Sequence, residues 1–439
     1  MTNTDLLRAL LQTLDEGSAR RSTLDMYYKG GQPLAYLSPE ARTAIGSRFG
    51  RMATNVPRLA VNSLAERLRV TSFSGADVWA DWLRNDMDQL ASVAHREALT
   101  LGESYMMVWA NEAGAPLVTV ESPAQVAVLR DPATREVVAA VKRWETKTST
   151  EATLFTPEEV VRLRSDAIGA TTNGFRTINT LDNPFGVVPV VPLRNSERLL
   201  GEAASEIDDL IPLVDGMNKL LADLMVSSEY TGRPRRWASG IELEERDVLD
   251  ADGQPTGETV AVNPFPESNR MMVSEATDAK FGQLDASDLA GYEAAVRVLQ
   301  AQISAVSGLP PHYLGVHGDQ PASADALRAS EASLTARAEA RQAVFGRAWE
   351  QVARLMVAVR TGADPATIAA QVQWADPATR SVAQEADAVV KLYQSGLLPA
   401  TYALARLGYN DDEIAKIRAA TRTESLDKVG ADAITKVIQ

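Results

Sequence analysis

Residues 323–360, SADALRASEASLTARAEARQAVFGRAWEQVARLMVAVR, carry a helical pattern over 38 positions, with Gly346 as the single interior weak point. At ~1.5 Å per residue such a helix reaches almost 60 Å, about twice the width of a small domain. Ser323 stands before it as an N-cap. A helix of that length needs partners along its path, in the same chain or across a subunit boundary. With 439 residues, 45% of them hydrophobic, the chain can supply several cores rather than one. Oligomerisation is the expected way of covering what remains.

Elsewhere the hydrophobic period switches between helix and strand. Residues 4–16 and 56–70 read as short amphipathic helices, the second with Val56, Leu59, Ala60, Leu64 and Leu68 at helical spacing. Trp79 to Leu101 reads as one longer helix, with Trp79, Trp82, Met87, Leu90, Val93 and Ala94 on a stripe. From Ser104 the pattern becomes short alternating runs, YMMVWA, PLVTVES, AQVAVLR and VVAAVKRW, separated by turn signals such as Asn111–Gly114 and Asp131-Pro132. With Ala152–Phe155 and Val160–Arg164 they predict one antiparallel meander. Three prolines in NPFGVVPVVPLRN (183–195) forbid a central strand or a helix and predict an extended connector.

Helical period returns at Ser205. Ile207, Leu210, Ile211, Val214, Met217, Leu221, Leu224 and Met225 form one stripe, and Ser205 with Asp208 is spaced like a capping box. Pro212 either starts the regular helix or bends it. Residues 232–282 break into turns and short strands, and helix resumes from about Asp285 to Ser307. GLPPHYLGVHGDQPA (308–322) is a loop, long for a compact domain. Residues 376–439 read as three short helices punctuated by SGLLP and LGYNDDEI.

Charge is unevenly spread. Lys and Arg number 44 against 58 Asp and Glu, a net of −14. Such a chain does not clamp phosphates over its whole surface, because duplex affinity comes largely from cations that displace counterions. Residues 1–70 carry ten basic and six acidic side chains, a net of +4; residues 203–322 carry eight and twenty, a net of −12. That asymmetry predicts surfaces facing different partners, unless solvated faces simply differ. Cysteine is absent, which removes disulfides, Cys-ligated zinc, iron–sulfur clusters and thiol nucleophiles together. Asp5, Asp15 and Glu16 stand where a signal peptide needs a basic end and an apolar run. No stretch approaches the ~18 apolar residues of a bilayer span, so a soluble, cytosol-made protein without a membrane partner is expected.

The search for chemistry is negative. GxxxxGK[ST], HExxH, GxSxG and a helix-opening GxGxxG are all missing, so neither an enzyme nor a cofactor is expected. Asp208-Asp209 and Asp411-Asp412-Glu413 resemble cation sites, but acidic runs before a helix more often serve its N-terminus. The three histidines are His95, His312 and His317. The last two sit in the long loop, where they suit a metal or a proton relay only if carboxylates lie close. The plainer reading is a polar loop that touches something large and non-specific. Arg233, Arg235 and Arg236 with Trp237 form a basic–aromatic cluster, fit for nucleic acid, for pairing with the acidic run 242–252 across a subunit boundary, or simply for solvent. Trp79, Trp82 and Trp349 fall on helix stripes and read as core.

Several phrases, in this order, resemble the portal proteins of tailed bacteriophages, the siphovirus head-to-tail connector family. Tyr27-Tyr28 with Gly30, then Asn55, Arg58 and Ala65-Glu66-Arg67-Leu68, are similar to the family's opening. His95 to Leu99 followed by Gly102-Glu103-Ser104-Tyr105 resembles its step from helix into strands. Pro184-Phe185-Gly186 with Val188-Pro189-Val190-Val191 resembles the entry to its stem, and Asp215-Gly216-Met217-Asn218-Lys219 a turn of the first stem helix. Gly308-Leu309-Pro310-Pro311 and Ala322-Ser323-Ala324-Asp325-Ala326-Leu327 flank what matches its tunnel loop.

The resemblance implies an α+β portal fold in a ring, usually of twelve subunits, at one capsid vertex. It divides the chain into wing (1–202), first stem helix (203–231), small α/β clip (232–284), second stem helix (285–307), tunnel loop (308–322), long helix with the rest of the wing (323–375) and helical crown (376–439). Its implied partners are further copies of the chain, double-stranded DNA passing through the channel, the terminase large subunit, a head–tail adaptor, and the major capsid and scaffold proteins. The virion is its implied location, after synthesis in the host bacterial cytoplasm. The tunnel loop holds no Lys or Arg, so His312, Tyr313, His317 and Gln320 are left as its DNA-facing candidates. Asp215, Asn218 and Lys219 are the stem candidates, and the Arg233–Trp237 cluster is the clip or subunit-interface candidate. The C-terminal region is too short for an extended helical barrel above the crown. Two other readings compete: a non-viral helical interaction scaffold without a DNA channel, and an enzyme with an acid–base site around His312.

Overall fold

Thr2 sets the chain into helix at once. Its hydroxyl accepts from Asp5 N at 3.3 Å, and the Asp5 carboxylate accepts from Thr2 N at 3.2 Å, so two otherwise orphaned amides are satisfied. The computed structural model describes residues 2–36, 39, 52–196, 198–199, 203–232, 236–240, 244–249, 254–262, 277–283, 289–316, 323–378, 382–409 and 413–423. Helix α1 (Asn3–Glu16) buries Leu7, Leu10, Leu11 and Leu14, and α2 (Ser18–Lys29) ends at Gly30 in a left-handed conformation, φ +68°. Pro57 lies in the first turn of α3 (Val56–Ala65), where its missing N–H costs no helical bond. Strand β1 (Val70–Ser74) follows.

The single helix expected over Trp79–Leu101 is two helices, α4 (Trp79–Arg84) and α5 (Met87–Leu101). Asp86 is left-handed (φ 53°), a conformation Asp tolerates better than most residues. The neighbouring Asn85 fixes the corner: its amide donates to Pro116 O at 3.0 Å and its Oδ1 accepts from Val118 N at 2.9 Å. The corner lets Trp82 and Met87 both reach the core.

Eight strands come next: β2 (Glu103–Ala110), β3 (Pro116–Glu121), β4 (Val126–Arg130), β5 (Val137–Glu145), β6 (Thr150–Phe155), β7 (Glu159–Ser165), β8 (Arg176–Asp182) and β9 (Val190–Arg194). They do not form the one meander expected. The β2–β3 hairpin pairs with β9 in the order β3-β2-β9, while β4 to β8 make a separate five-stranded antiparallel sheet. A turn closed by Gln125 N to Ser122 O (2.9 Å) takes the chain from one sheet to the other. The proline-rich segment expected as a connector is half strand. Its last part, β9, is an edge, where Pro192 opposite Tyr105 removes no bond from a central ladder. Val188, Val190, Val191 and Leu193 are buried, and that burial ties the segment down. Helix α1 covers the five-stranded sheet, packing its leucines on Ala139, Val141, Leu154 and Val161.

The root of α6 (Ile211–Gly232) is a 3₁₀ turn, Asp208–Leu210. Of the capping box expected of this pair one half is present, Ser205 N donating to Asp208 Oδ2 at 2.8 Å, whereas Ser205 Oγ accepts from Ile207 N at 3.0 Å and not from Asp208 N. Pro212 falls in the first turn of α6 and starts it. The insert holds β10 (Arg236–Ser239), β11 (Glu244–Leu249), β12 (Pro255–Val262) and β13 (Lys280–Gln283), paired as β10 with β13 and β11 with β12. The small α/β insert expected over 232–284 is thus represented among the described residues by strands alone. Helix α7 (Ala290–Ser307) returns antiparallel to α6: Ser227 Oγ lies 3.1 Å from Tyr292 OH, and Gly216 faces Leu299.

The 38-residue helix is interrupted. Ser323 caps it as expected, accepting from Ala326 N at 3.1 Å, but α8 (Ala324–Ser330) gives way to α9 (Ala332–Thr361) at Glu331 and not at Gly346. Gly346 lies inside α9, where a Cβ would come 3.1 Å from Val372 Cγ1 of β14 (Gln371–Trp374), the strand paired with β1. Glycine there admits a close helix–strand approach. The partners α9 needs lie in its own chain: Leu334, Ala338, Phe345, Trp349, Val352 and Met356 enter one large core with α3, α5 and the β3-β2-β9 sheet. This body, Met1–Asp376, is one compact unit, and Pro377–Gln439 is a second. The second unit contains α10 (Val382–Gln394), α11 (Ala400–Arg406) and helix at 413–423, the three short helices expected.

Candidate functional site

Both long helices of the pair leave the body at one place. Gly102 ends α5 with φ +94°, and a Cβ on it would stand 2.8 Å from Ala203 O, so glycine allows the segment before α6 to lie against the backbone. Glu206 N donates to Leu99 O at 2.9 Å, and Ser205 Oγ donates to Thr100 O at 2.5 Å. Leu210 of the 3₁₀ turn and Val214 and Met217 of α6 then close over Ile303 of α7 and Leu309 just after it.

An ionic node locks this root. Glu206 Oε1 accepts from Arg341 Nη2 at 2.7 Å, from Arg341 Nε at 3.1 Å and from Asn195 Nδ2 at 3.0 Å. Its Oε2 accepts from Arg337 Nη2 at 2.8 Å, while Arg337 Nη1 donates to Val306 O at 2.9 Å. The Glu206 and Arg341 side chains are only 7% and 5% exposed. Burial works to raise the Glu206 carboxyl, but Arg341 and Arg337, with the hydrogen bonds from Arg341 and Asn195, outweigh it and hold the group below its ordinary range.

Reading residue types missed this node, although a signal was present. Leu334, Ala338, Arg341 and Phe345 share one buried face of α9, and an arginine on an apolar stripe calls for a buried carboxylate.

The stem candidates are anchors. Tyr27 OH bonds both oxygens of the buried Asp215 at 2.8 Å. Burial raises the Asp215 carboxyl against the lowering effect of that bond, and burial, followed by the bond itself, raises the Tyr27 phenol. Asn218 Oδ1 accepts from Thr54 N and Thr54 Oγ1, both at 2.9 Å, whereas Lys219 pairs within its own helix with Asp223. Asp215 and Asn218 therefore fasten α6 to the N-terminal segments.

The first part of the predicted tunnel loop is docked. His312 and Tyr313 lie in a 3₁₀ turn, Pro311–Leu314, held by Gln300 Nε2 to Leu314 O at 3.0 Å. Tyr313 OH donates to Glu331 Oε1 at 3.3 Å, and Arg67 Nη2 reaches Glu331 Oε2 at 3.1 Å. Glu331 is the residue at which the long helix breaks, and His312 Nε2 stands 3.9 Å from its Oε1. His317 and Gln320 lie outside the described residues, as do Arg233 and Arg235. Arg236 is described only by its backbone, opposite Gln283 in the ladder; Trp237 is half-exposed with its indole over Gly282. Among the described residues there is no cluster of three or more His, Asp or Glu able to hold a metal ion, and no helix is long and apolar enough to cross a membrane.

The helix pair is thus locked at its root onto a mixed α+β body by the Glu206 node. Residues 38–426 match the family described as phage portal protein, SPP1 Gp6-like, and the chain belongs to that family. Portal proteins are structural, and this chain is accordingly not an enzyme. It is 31% identical over 401 residues to the portal protein of Mycobacterium phage L5, covering 85% of this chain and 79% of that one. It is likewise 31% identical over 406 residues to the portal protein of Mycobacterium phage D29, covering 85% and 80%. Among solved structures, similar chains occur in the neck of a native gene transfer agent particle computed with C12 symmetry (TM-score 0.47, 15% identity, 88% of this chain and 97% of that one). Another lies in the virion of the native gene transfer agent particle (TM-score 0.44, 15% identity, 87% and 96%).

Proposed function

We propose that copies of this chain close into a ring of twelve at one vertex of a phage capsid, and that double-stranded DNA passes through the ring during packaging and ejection. The observation that carries this reading is the family match over residues 38–426. Within it, 1–202 and 323–375 are wing, 203–231 and 285–307 stem, 232–284 clip, 308–322 tunnel loop and 376–439 crown. A terminase large subunit docks on the ring first and a head–tail adaptor later, with the major capsid and scaffold proteins around it; the chain is made in the host cytoplasm and ends in the virion. His312, Tyr313, His317 and Gln320 are the loop groups assigned to the channel, and Arg233, Arg235, Arg236 and Trp237 those assigned to the clip interface.

The helix pair supports the reading, because α6 and α7 pack on each other yet leave Met225, Val298 and Val306 exposed, as stem helices awaiting neighbours would. Cyclic closure fixes the expected mass: 12 × 47.3 kDa, or about 568 kDa. Native mass spectrometry should find that species, and a chain that stays monomeric over a wide concentration range would count against the ring.

Acidity supports a conduit that does not grip. Residues 203–322 carry a net of −12, and like charges facing DNA keep phosphates from settling. Neutralising Asp209 and Asp223 together (Asp209→Asn, Asp223→Asn) is expected to tighten low-salt binding of duplex DNA several-fold and to slow ejection. Unchanged binding and ejection would sink this account of the acidic stretch.

A further inference from the structure

Between α1, α2, α3 and α5 lies a cleft of about 540 Å³ that plays no part in the reading above. Five cations line it, Arg21, Lys29, Arg58, Arg96 and Arg143, against three carboxylates, Asp15, Asp25 and Glu97. Two pairs neutralise each other: Arg143 with Asp15 at 2.5 Å and Lys29 with Asp25 at 2.6 Å. Glu97 accepts from Ser122 Oγ at 2.5 Å.

Arg21, Arg58 and Arg96 make no ion pair among the described residues. Arg21 turns back to the Leu14 carbonyl at the end of α1, Arg58 lies 5.2 Å over the Tyr28 ring, and Arg96 donates to Ser92 Oγ at 3.2 Å. Arg21 also feels the charges of Glu103 and Asp15, so Arg58 and Arg96 are the two guanidiniums of this wall with no acidic partner among the described residues, and guanidinium is the cation best shaped to take a carboxylate on two bonds. The fixed carboxylates in the same wall disfavour a long run of phosphates, whose charges would meet Asp15, Asp25 and Glu97. An isolated acidic side chain meets no such conflict. The chain supplies the complement itself, because residues 203–322 carry its acidic surplus, a net of −12.

We propose that the cleft receives a carboxylate-bearing segment of a second copy of this chain, and so forms a joint between neighbours. The inference rests on the ring reading in one respect, that copies meet at all. Full-length chains carrying Arg58→Gln with Arg96→Gln, or Arg58→Glu with Arg96→Glu, are to be compared with wild type by native mass spectrometry, with thermal melts to check the fold. The assembly midpoint should rise about tenfold for the glutamine pair and further for the glutamate pair, while the monomer's melt is unchanged.

A second measurement needs no variant. In rings mixed from ¹⁴N and ¹⁵N chains, zero-length carbodiimide coupling should join Lys29, the only lysine of the cleft, to an Asp or Glu of another copy. Rings that form with an unchanged midpoint in both variants, or without any inter-copy Lys29 link, overturn the cleft proposal and leave the ring standing. Variants that assemble normally but lose a short DNA duplex bound by wild type overturn it in favour of nucleic acid. A wild-type chain that never assembles overturns both.

Discussion

Glu206→Ala is expected to lower the stability of the body by about 3–5 kcal/mol, because it removes the buried carboxylate on which Arg341, Arg337 and Asn195 converge. Arg341 is 5% exposed and spends two donors on Glu206, so it cannot recover hydration without opening the packing of α9. Arg337 is less dependent, being 32% exposed with a second partner in Val306 O. Glu206→Gln keeps an acceptor and loses the charge, and should fall between alanine and wild type. Replacing Glu206 and Arg341 together by leucine and methionine should recover most of the loss, since a buried pair and a well-packed apolar pair are often close in free energy. Chemical unfolding of the four chains measures this. A loss below about 1 kcal/mol for alanine would show that the node holds nothing together.

Acid should destabilise the same body through His95. This imidazole is fully buried, with ring centres 5.6 Å from each of Phe345, Trp349 and Trp374, and its Nε2 accepts from Trp349 Nε1 at 2.9 Å. Burial, with the charge of Arg96 adding to it, pushes its pKa down to about 3. The unfolded chain takes up the proton below about pH 6.5, whereas the folded chain refuses it until about pH 3. The stability is therefore complete above 6.5 and is lost as pH falls through that window, by about 1.4 kcal/mol per unit and so about 2 kcal/mol by pH 5. Glu206 is held in the same direction but acts lower, near the carboxylate range, and the buried Asp215 carboxyl, raised, acts with the opposite sign, so the histidine's share between pH 6.5 and 5 is the difference between wild type and a His95 variant. His95→Gln, which keeps an acceptor for Trp349, should remove that loss of about 2 kcal/mol. Equal losses in the two chains would refute it.

Much of this architecture was legible because periodicity reports which residues share a face. The leucines of α1, the buried face of α9 and the first part of the α6 stripe, through Met217, lie where helical spacing predicts, while Met225 at the stripe's far end is exposed. Alternation marks strands but does not say which strand pairs with which, and the division of β2–β3 from β4–β8 left no local trace. Partners distant in sequence were invisible for the same reason. Glu331 interrupts the long helix where it meets Arg67, 264 positions away, and nothing in its own neighbourhood sets it apart from the helix formers around it. Asp215 and Asn218 stood out in a family-like phrase, yet their work here is to fasten α6 to Tyr27 and Thr54. The ordered phrases over most of the chain, where each alone was weak, pointed to the family whose match spans residues 38–426.

Arg337 has a mechanical consequence. One guanidinium holds the carboxylate at the foot of α6 and the last-turn carbonyl of α7, while its backbone belongs to α9. Splaying the two limbs must lengthen both bonds together, and twisting them in unison must drag α9. One side chain thus resists displacement of either limb at its root, while Tyr27 and Thr54 restrain α6 a turn or two further along.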